Sequence, residues 1–323
     1  MAYPSSVDLL LFQVLRSQMG AALDQFGAVI TAMVTAFDSN DELDIDATVK
    51  LAKKLAADGN SALVISGTTG EASTLTDPEK ITLWETLASE LTIPIIAGSG
   101  SNETAHSITM TKRATNAGVA GILAVAPYYN RPPQSGIYGH FDAMASATSL
   151  PVFVYDIPIR TGRKVAASTL KRVIADHANV VALKDAAGDP SATAALIPGL
   201  PSYFDVYSGD DSLTLPLLSV GAVGVIGVAT HWATDLFRDM IEAFSKGDNR
   251  RAIEVNQALL SSYEYETGEV APNPIPTKVI MNYLGMNVGR CRLPMGDAPK
   301  GHEEVAKRVV DELAISRSKL NIK

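Results

Sequence analysis

Six segments of this chain each close on residue types that can work on a carbonyl compound. The first to consider is Val180-Val181-Ala182-Leu183-Lys184-Asp185, an apolar run that ends in a lysine. Removing water from an ammonium is costly, so a lysine in apolar surroundings has its pKa lowered and becomes available as a neutral amine nucleophile. The plainer alternative is a lysine whose stem packs on apolar surface while its head reaches water. The other segments are Gly67-Thr68-Thr69-Gly70-Glu71, Gly98-Ser99-Gly100-Ser101-Asn102, Pro127-Tyr128-Tyr129-Asn130, Tyr155-Asp156-Ile157-Pro158-Ile159-Arg160-Thr161-Gly162 and Gly209-Asp210-Asp211. Together they suit a reaction in which Lys184 attacks a ketone, forms an iminium ion and loses an α-proton to give an enamine, a carbon nucleophile. Tyr155 would then carry the proton, Thr68 and Thr69 would hold a carboxylate through hydroxyls and backbone N–H groups, and Arg160 would fork onto a second carboxylate. Singly, each segment has a simpler explanation. Gly67 and Gly70 fit a tight turn, Tyr128 and Tyr129 fit packed aromatics, Arg160 fits a surface ion pair, and Asp210-Asp211 fits a helix N-cap. Recurrence at successive strand ends favours the chemical reading.

The elements that would position these residues alternate in texture. Short apolar segments fall at 28–34, 62–66, 93–97, 121–125, 152–155, 180–184, 205–208 and 223–228. Longer helix-periodic segments fall at 46–58, 77–90, 103–117, 135–148, 168–177, 190–197, 211–219 and 232–245. Asp77-Pro78 and Asp189-Pro190 read as acidic caps followed by proline in the first helical turn, and Gly59 and Gly118 as C-terminal caps. Near-continuous apolar strands separated by helices predict parallel pairing with both faces covered. Eight such units predict an α/β fold, a (β/α)8 TIM barrel, whose site lies at the C-terminal ends of the strands. A doubly wound sheet is the alternative, but the first strand runs into Thr35-Ala36-Phe37-Asp38 and lacks a glycine fingerprint. Helices at 248–262, 275–284 and 301–315 predict a small C-terminal helical domain. The expected organisation is an N-terminal extension over 1–25, the barrel over 26–246 and the helical domain over 247–323. Leu9, Phe12, Leu15 and Met19 recur near helical spacing, which predicts a short amphipathic helix in the extension.

Composition narrows the classes. Hydrophobic residues make up 46% and charged residues 19% of 323, as in a globular protein with a large core. A net charge of −8 argues against nucleic acid or an anionic membrane as the main partner. The single cysteine, Cys291, excludes an internal disulfide and a cysteine zinc site, in keeping with a reducing cytoplasm. No run is long enough to span a bilayer, and no secretory signal is evident. The five histidines, His106, His140, His177, His231 and His302, lack metal-ligand spacing, and His140 and His177 are expected on helix surfaces. Neither metal nor cofactor is expected.

These motifs, with Pro272-Asn273-Pro274-Ile275-Pro276-Thr277-Lys278 and Arg292-Leu293-Pro294, resemble the motif set of the dihydrodipicolinate synthase family over roughly residues 25–315. The resemblance implies a class I (Schiff-base) carbon–carbon lyase of the lysine pathway. Pyruvate would condense with Lys184, and the enamine would attack L-aspartate 4-semialdehyde. It implies that Tyr155 moves protons, that Thr69 links it to Tyr129, and that Tyr129 enters a neighbouring subunit's site. It also implies that Thr68 and Thr69 hold the pyruvate carboxylate, that Arg160 holds the semialdehyde carboxylate, and that Gly209 and Ile226 lie near the lysine. The implied assembly is a homotetramer built as a dimer of dimers. Asn102 and Tyr128 match positions of a lysine-binding inhibitory pocket. His106 replaces its usual glutamate, and Asp77 and Lys80 replace its usual histidines, which implies a weak hold on lysine. Two other readings stay open: a pyruvate-dependent lyase of sialic or 2-keto-3-deoxy sugar acids, and a barrel that binds a keto acid without turnover.

Overall fold

The structure, a computed structural model, describes residues 22–268 and 270–322. Eight strands pair in parallel and in chain order to close a barrel. They are β1 Val29–Ala32, β2 Ala62–Ile65, β3 Ile95–Gly98, β4 Gly121–Val125, β5 Val152–Asp156, β6 Val180–Asp185, β7 Asp205–Ser208 and β8 Gly224–Gly227. The (β/α)8 barrel expected from the sequence is therefore the observed fold. The apolar runs are continuous because both faces of each strand are covered. On β4, Ile122 and Ala124 pack in the large layer against the helices, whereas Leu123 joins Phe153, Ala182 and Tyr207 inside the barrel.

A one-turn helix, Ala22–Phe26, precedes β1 and fills the barrel's lower end. The Phe26 and Phe153 rings meet edge to face with centroids 5.0 Å apart. Leu23 N–H donates to Asp205 at 2.7 Å, and the Tyr207 hydroxyl donates to Gly27 O at 3.0 Å. This helix straddles the boundary expected at residue 25 between extension and barrel. One helical turn carries too little periodicity to announce itself. The amphipathic pattern through Leu9, Phe12, Leu15 and Met19 lies outside the described residues.

The helices follow the expected segments with local differences. Asp77–Glu90 starts on Thr76 rather than on an aspartate cap: Thr76 accepts from Glu79 N–H, and the Glu79 carboxylate accepts from Thr76 N–H. Asp189 does cap Pro190–Leu196, accepting from Ala192 N–H. Gly59 and Gly118 follow their helices at φ +97° and +84°, the left-handed geometry that favours glycine. The expected helix at 211–219 is a 3-10 turn, Asp211–Leu213, continued by Thr214–Leu218. The expected helix at 248–262 divides into Asn249–Ala258 and Leu260–Glu266. A short helix, Pro158–Thr161, was not evident in the sequence and ends on Gly162 at φ +73°.

The C-terminal helices Ile275–Tyr283 and His302–Leu320 complete the described chain. Their region is fastened to the turn after β2. Lys278 Nζ lies 2.7 Å from Glu71 Oε1, both side chains being 2% exposed. Arg292 donates its backbone N–H to Glu71 Oε2 at 2.9 Å and its guanidinium to Glu79 at 2.5 Å. Arg292 holds the Glu79 carboxyl down at about 2. Among the described residues no helix is long and apolar enough to cross a membrane.

Candidate active site

Strand register brings Lys184 and Tyr155 together. Lys184 pairs with Tyr155 on one side and Tyr207 on the other. The β5–β6 register slips between Val152 and Phe153, so Ala182 rather than Val181 stands opposite Phe153. Lys184, two residues on, therefore shares the inner face with Tyr155. Its ammonium lies 4.5 Å from the Tyr155 ring centroid, and the residue is 5% exposed. Gly209 is the reason the lysine stem fits. A Cβ there would stand 2.9 Å from Lys184 Cγ and 3.0 Å from Cε. Ile226 is fully buried on β8 opposite Ile30.

Burial sets the titration of both groups. It lowers Lys184 to about 8, with Asp211 opposing the shift and Arg160 adding to it. It raises Tyr155 to about 12, partly offset by a hydrogen bond with the Thr68 hydroxyl and by the Arg160 charge. Near neutral pH the phenol is thus protonated, and a useful fraction of the amine is neutral.

The turn after β2 is held in unusual backbone geometry, with Ser66 at φ +55° and Glu71 at +57°. Gly70 passes so close to β1 that a Cβ would stand 2.9 Å from Met33 O. The two threonines part company. Thr68 lines the cavity and hydrogen-bonds Tyr155. Thr69, 3% exposed, accepts at 3.0 Å from Asn273 Nδ2. The resemblance implied a link from Tyr155 through Thr69 to Tyr129; in this chain the hydroxyl that meets Tyr155 is that of Thr68, and Thr69 turns toward Asn273. Asn273 is a site residue that the sequence did not single out. Its carbonyl accepts from Arg160 Nη2 at 3.3 Å, and its Oδ1 accepts from Thr277 at 3.1 Å. It joins Arg160 to Thr69 from far along the chain. Its only signal was its place in the proline-rich segment at 272–276.

A cavity of about 240 Å³ opens above these residues, lined among others by Ser66, Thr68, Tyr128, Tyr155, Arg160 and Lys80. Tyr155, whose ring centroid lies 4.5 Å from the Lys184 ammonium, forms part of this wall. Tyr128 has its phenol pKa raised by burial, against a hydrogen bond to the Asn102 backbone. Asn102 O accepts from Asn130 at 2.8 Å. His106 Nε2 sits 2.9 Å from Asp77 Oδ2. The Lys80 ammonium is lowered by desolvation, with Asp77 opposing. Tyr129 stands apart from this chain's cavity: it is 89% exposed and held at φ +73°. Asp210 caps the 3-10 turn through Ser212 N–H, as expected. His140 is corrected from surface to interior. It is 1% exposed against Phe141, its Nδ1 is 3.0 Å from Thr104 Oγ1, and burial lowers it to about 4. Its helix, Gln134–Ser146, turns His140 inward with Ile137, Phe141 and Met144. His177 lies at the end of its helix and reaches Asp142 at 2.8 Å.

Residues 25–313 match the model of the dihydrodipicolinate synthetase family. The chain is 45% identical over 272 residues to the 4-hydroxy-tetrahydrodipicolinate synthase of Bacillus subtilis, covering 84% of this chain and 93% of that protein. Among solved structures, a dihydrodipicolinate synthase from Bacillus anthracis superposes with TM-score 0.85 at 40% identity, covering 88% of this chain and 98% of that one. One from Cyanidioschyzon merolae, with lysine bound, gives 0.87 at 39% identity, covering 90% and 99%.

Proposed function

The chain belongs to the dihydrodipicolinate synthetase family, and we propose that it is a 4-hydroxy-tetrahydrodipicolinate synthase that holds pyruvate as a Schiff base on Lys184 and condenses it with L-aspartate 4-semialdehyde. The observation that carries this reading is the buried amine, lowered to about 8, against a protonated phenol on the neighbouring strand.

Neutral Lys184 adds through nitrogen to C2 of pyruvate. The former carbonyl oxygen takes one proton from Tyr155 and one from the Lys184 nitrogen and departs as water, leaving a positively charged iminium and the Tyr155 phenolate. Tyr155 then recovers a proton from the pyruvate methyl, and the C–H electron pair forms the enamine double bond. That carbon attacks the aldehyde, whose oxygen takes the same proton back. The amino group of the semialdehyde finally adds at C2 and closes the ring, passing one proton to the Lys184 nitrogen, which leaves as the neutral amine, and one back to the Tyr155 phenolate. Thr68 orients the Tyr155 phenol through its hydrogen bond. Thr69 and the turn N–H groups receive the pyruvate carboxylate, and Arg160, exposed at the rim, receives that of the semialdehyde.

Tyr129 reads as a donation to a second copy of the chain. A bulky phenol at positive φ and 89% exposed is unfavourable in a monomer and sensible as an insert into a partner's site. A homo-oligomer, arranged as a dimer of dimers in the cytoplasm, follows as part of this proposal.

The test is borohydride trapping with pyruvate followed by intact mass and peptide mapping. The expected result is a reduced three-carbon adduct on Lys184, and an unmodified lysine overturns the reading. Arg160→Ala is expected to keep the adduct while kcat/KM for the semialdehyde falls about a hundredfold, the loss of one charged carboxylate contact. Unchanged turnover in that variant removes Arg160 from its role.

A further inference from the structure

Two buried carboxyl groups behind the lysine have no part in the steps above. Asp211, on the turn after β7, is 3% exposed, and Glu266, at the end of helix Leu260–Glu266, is 5% exposed. Consecutive backbone N–H groups after β8 bring them together: Val228 N–H donates to Asp211 Oδ2 at 2.8 Å, and Ala229 N–H donates to Glu266. The carboxyls hydrogen-bond each other. Asp211 Oδ1 and Glu266 Oε2 are buried, and no hydroxyl or N–H among the described residues donates to them. The space is shaped for the pair, since a Cβ on Gly227 would stand 2.2 Å from Asp211 Oδ1.

We propose that Asp211 and Glu266 hold one proton between them, and that the single negative charge left on the pair is the counter-charge of Lys184 and of the iminium formed on it. This rests on the Schiff-base reading above and adds two positioning residues to it. Two adjacent carboxylates with no cation between them cannot both be ionised in a buried site. The proton belongs mainly on Glu266, which burial raises well above the ordinary range, whereas Asp211 is raised only to about 6 and feels the Lys184 charge. The surrounding groups agree with one charge. Asp210 opposes a second one, and its side chain is committed to Ser212. The Tyr263 phenol is pushed up by burial and by both acids, so it stays neutral. His231 is committed at both ring nitrogens, to Val34 N–H at 3.1 Å and Val228 O at 2.7 Å, and is lowered to about 4. Lys184 is the cation whose charge reaches the pair, through Asp211. One negative charge steadies the iminium without holding the free amine fully protonated; two would lock Lys184 as ammonium.

The experiment measures kcat/KM for pyruvate against pH, with borohydride trapping alongside, in the parent, Asp211→Asn, Glu266→Gln and Glu266→Leu. In Asp211→Asn the acid limb is expected to move about one unit lower and the plateau to fall about tenfold, since ammonium and iminium lose the same counter-charge. Glu266→Gln keeps a neutral donor beside Asp211 and holds the limb at the parental pH. Glu266→Leu leaves Asp211 to take up the proton itself, and its limb moves with that of Asp211→Asn. A purely structural pair would lower the rate without moving the limb. Parental limbs in both Asp211→Asn and Glu266→Leu overturn the proposal, and so does a Glu266→Gln limb that shifts as far as that of Glu266→Leu. Failure of the parent to trap pyruvate overturns the Schiff-base reading instead.

Discussion

Replacing Lys278 by methionine tests how the site is held. Lys278 and Glu71 form an ion pair at 2.7 Å with both side chains 2% exposed, and Glu71 ends the turn that carries Thr68 and Thr69. Burial lowers the Lys278 ammonium, with Glu71 the largest opposing influence. Removing one member of such a pair strands the other charge and costs about 3–5 kcal/mol, whereas removing both charges is far cheaper. Lys278→Met is therefore expected to lower the unfolding free energy by about 4 kcal/mol. In a chain of this size that is a fall of about 6 °C in Tm. Glu71→Gln/Lys278→Met should recover at least half of the loss, because glutamine still offers an acceptor to the Arg292 N–H that Glu71 now receives at 2.9 Å. Urea titrations at fixed protein concentration, in low and in molar salt, supply the measurement. Salt should change the difference little, since the pair is out of reach of screening ions. A single variant as stable as the parent, or a double variant no better than the single, would refute the reasoning.

Two further outcomes follow from the buried amine and the cavity wall. Lys184→Met is expected to abolish trapping yet raise stability near pH 7 by up to about 3 kcal/mol, the cost implied by the drop from 10.5 to about 8. The sign follows from proton counts. Below about 8 the lysine is charged in both the folded and unfolded chains and the folded state bears the full penalty; between about 8 and 10.5 the folded chain releases the proton first and the penalty fades. Melts at pH 7 and pH 10 check this, and an advantage that grows with pH contradicts it. Free L-lysine at millimolar concentration is expected to leave the initial rate unchanged, because Lys80 puts an ammonium on the cavity wall and His106 engages Asp77 at 2.9 Å. Inhibition below a millimolar in rate assays would refute that.

The barrel was legible because its strands are written as unbroken apolar runs, and the pattern needs no knowledge of partners. Lys184 and Tyr155 were legible for a related reason, each standing at the end of such a run, and Arg160 stood out in the segment that follows one. What the sequence concealed depends on side-chain direction and on distance along the chain. Thr68 and Thr69 are alike in type and adjacent, and only the bent turn shows which one meets Tyr155. Asn273 lies 204 residues from Thr69, so no local pattern could join them. His140 looked like a polar residue on a mixed helix, and its burial follows from which side of that helix meets the barrel. Glu266 sits in a polar stretch, Glu264-Tyr265-Glu266, and nothing in spacing separates it from an ordinary surface acid.

The helix Ala22–Phe26 also governs traffic. With Phe26 edge to face on Phe153 and Phe153 tilted against Tyr207, aromatic rings fill the lower end of the described barrel and leave the rim as its mouth. Lys184 is buried below that opening and Arg160 is exposed at it, so the two substrates must queue at one door. On the chemistry proposed above, the keto acid goes in first, and the water released on imine formation comes out past the place where the aldehyde would stand. An aldehyde that arrives early occupies the threshold and delays the molecule it needs. A plug at the far end of the barrel thereby dictates the order of events at the near one.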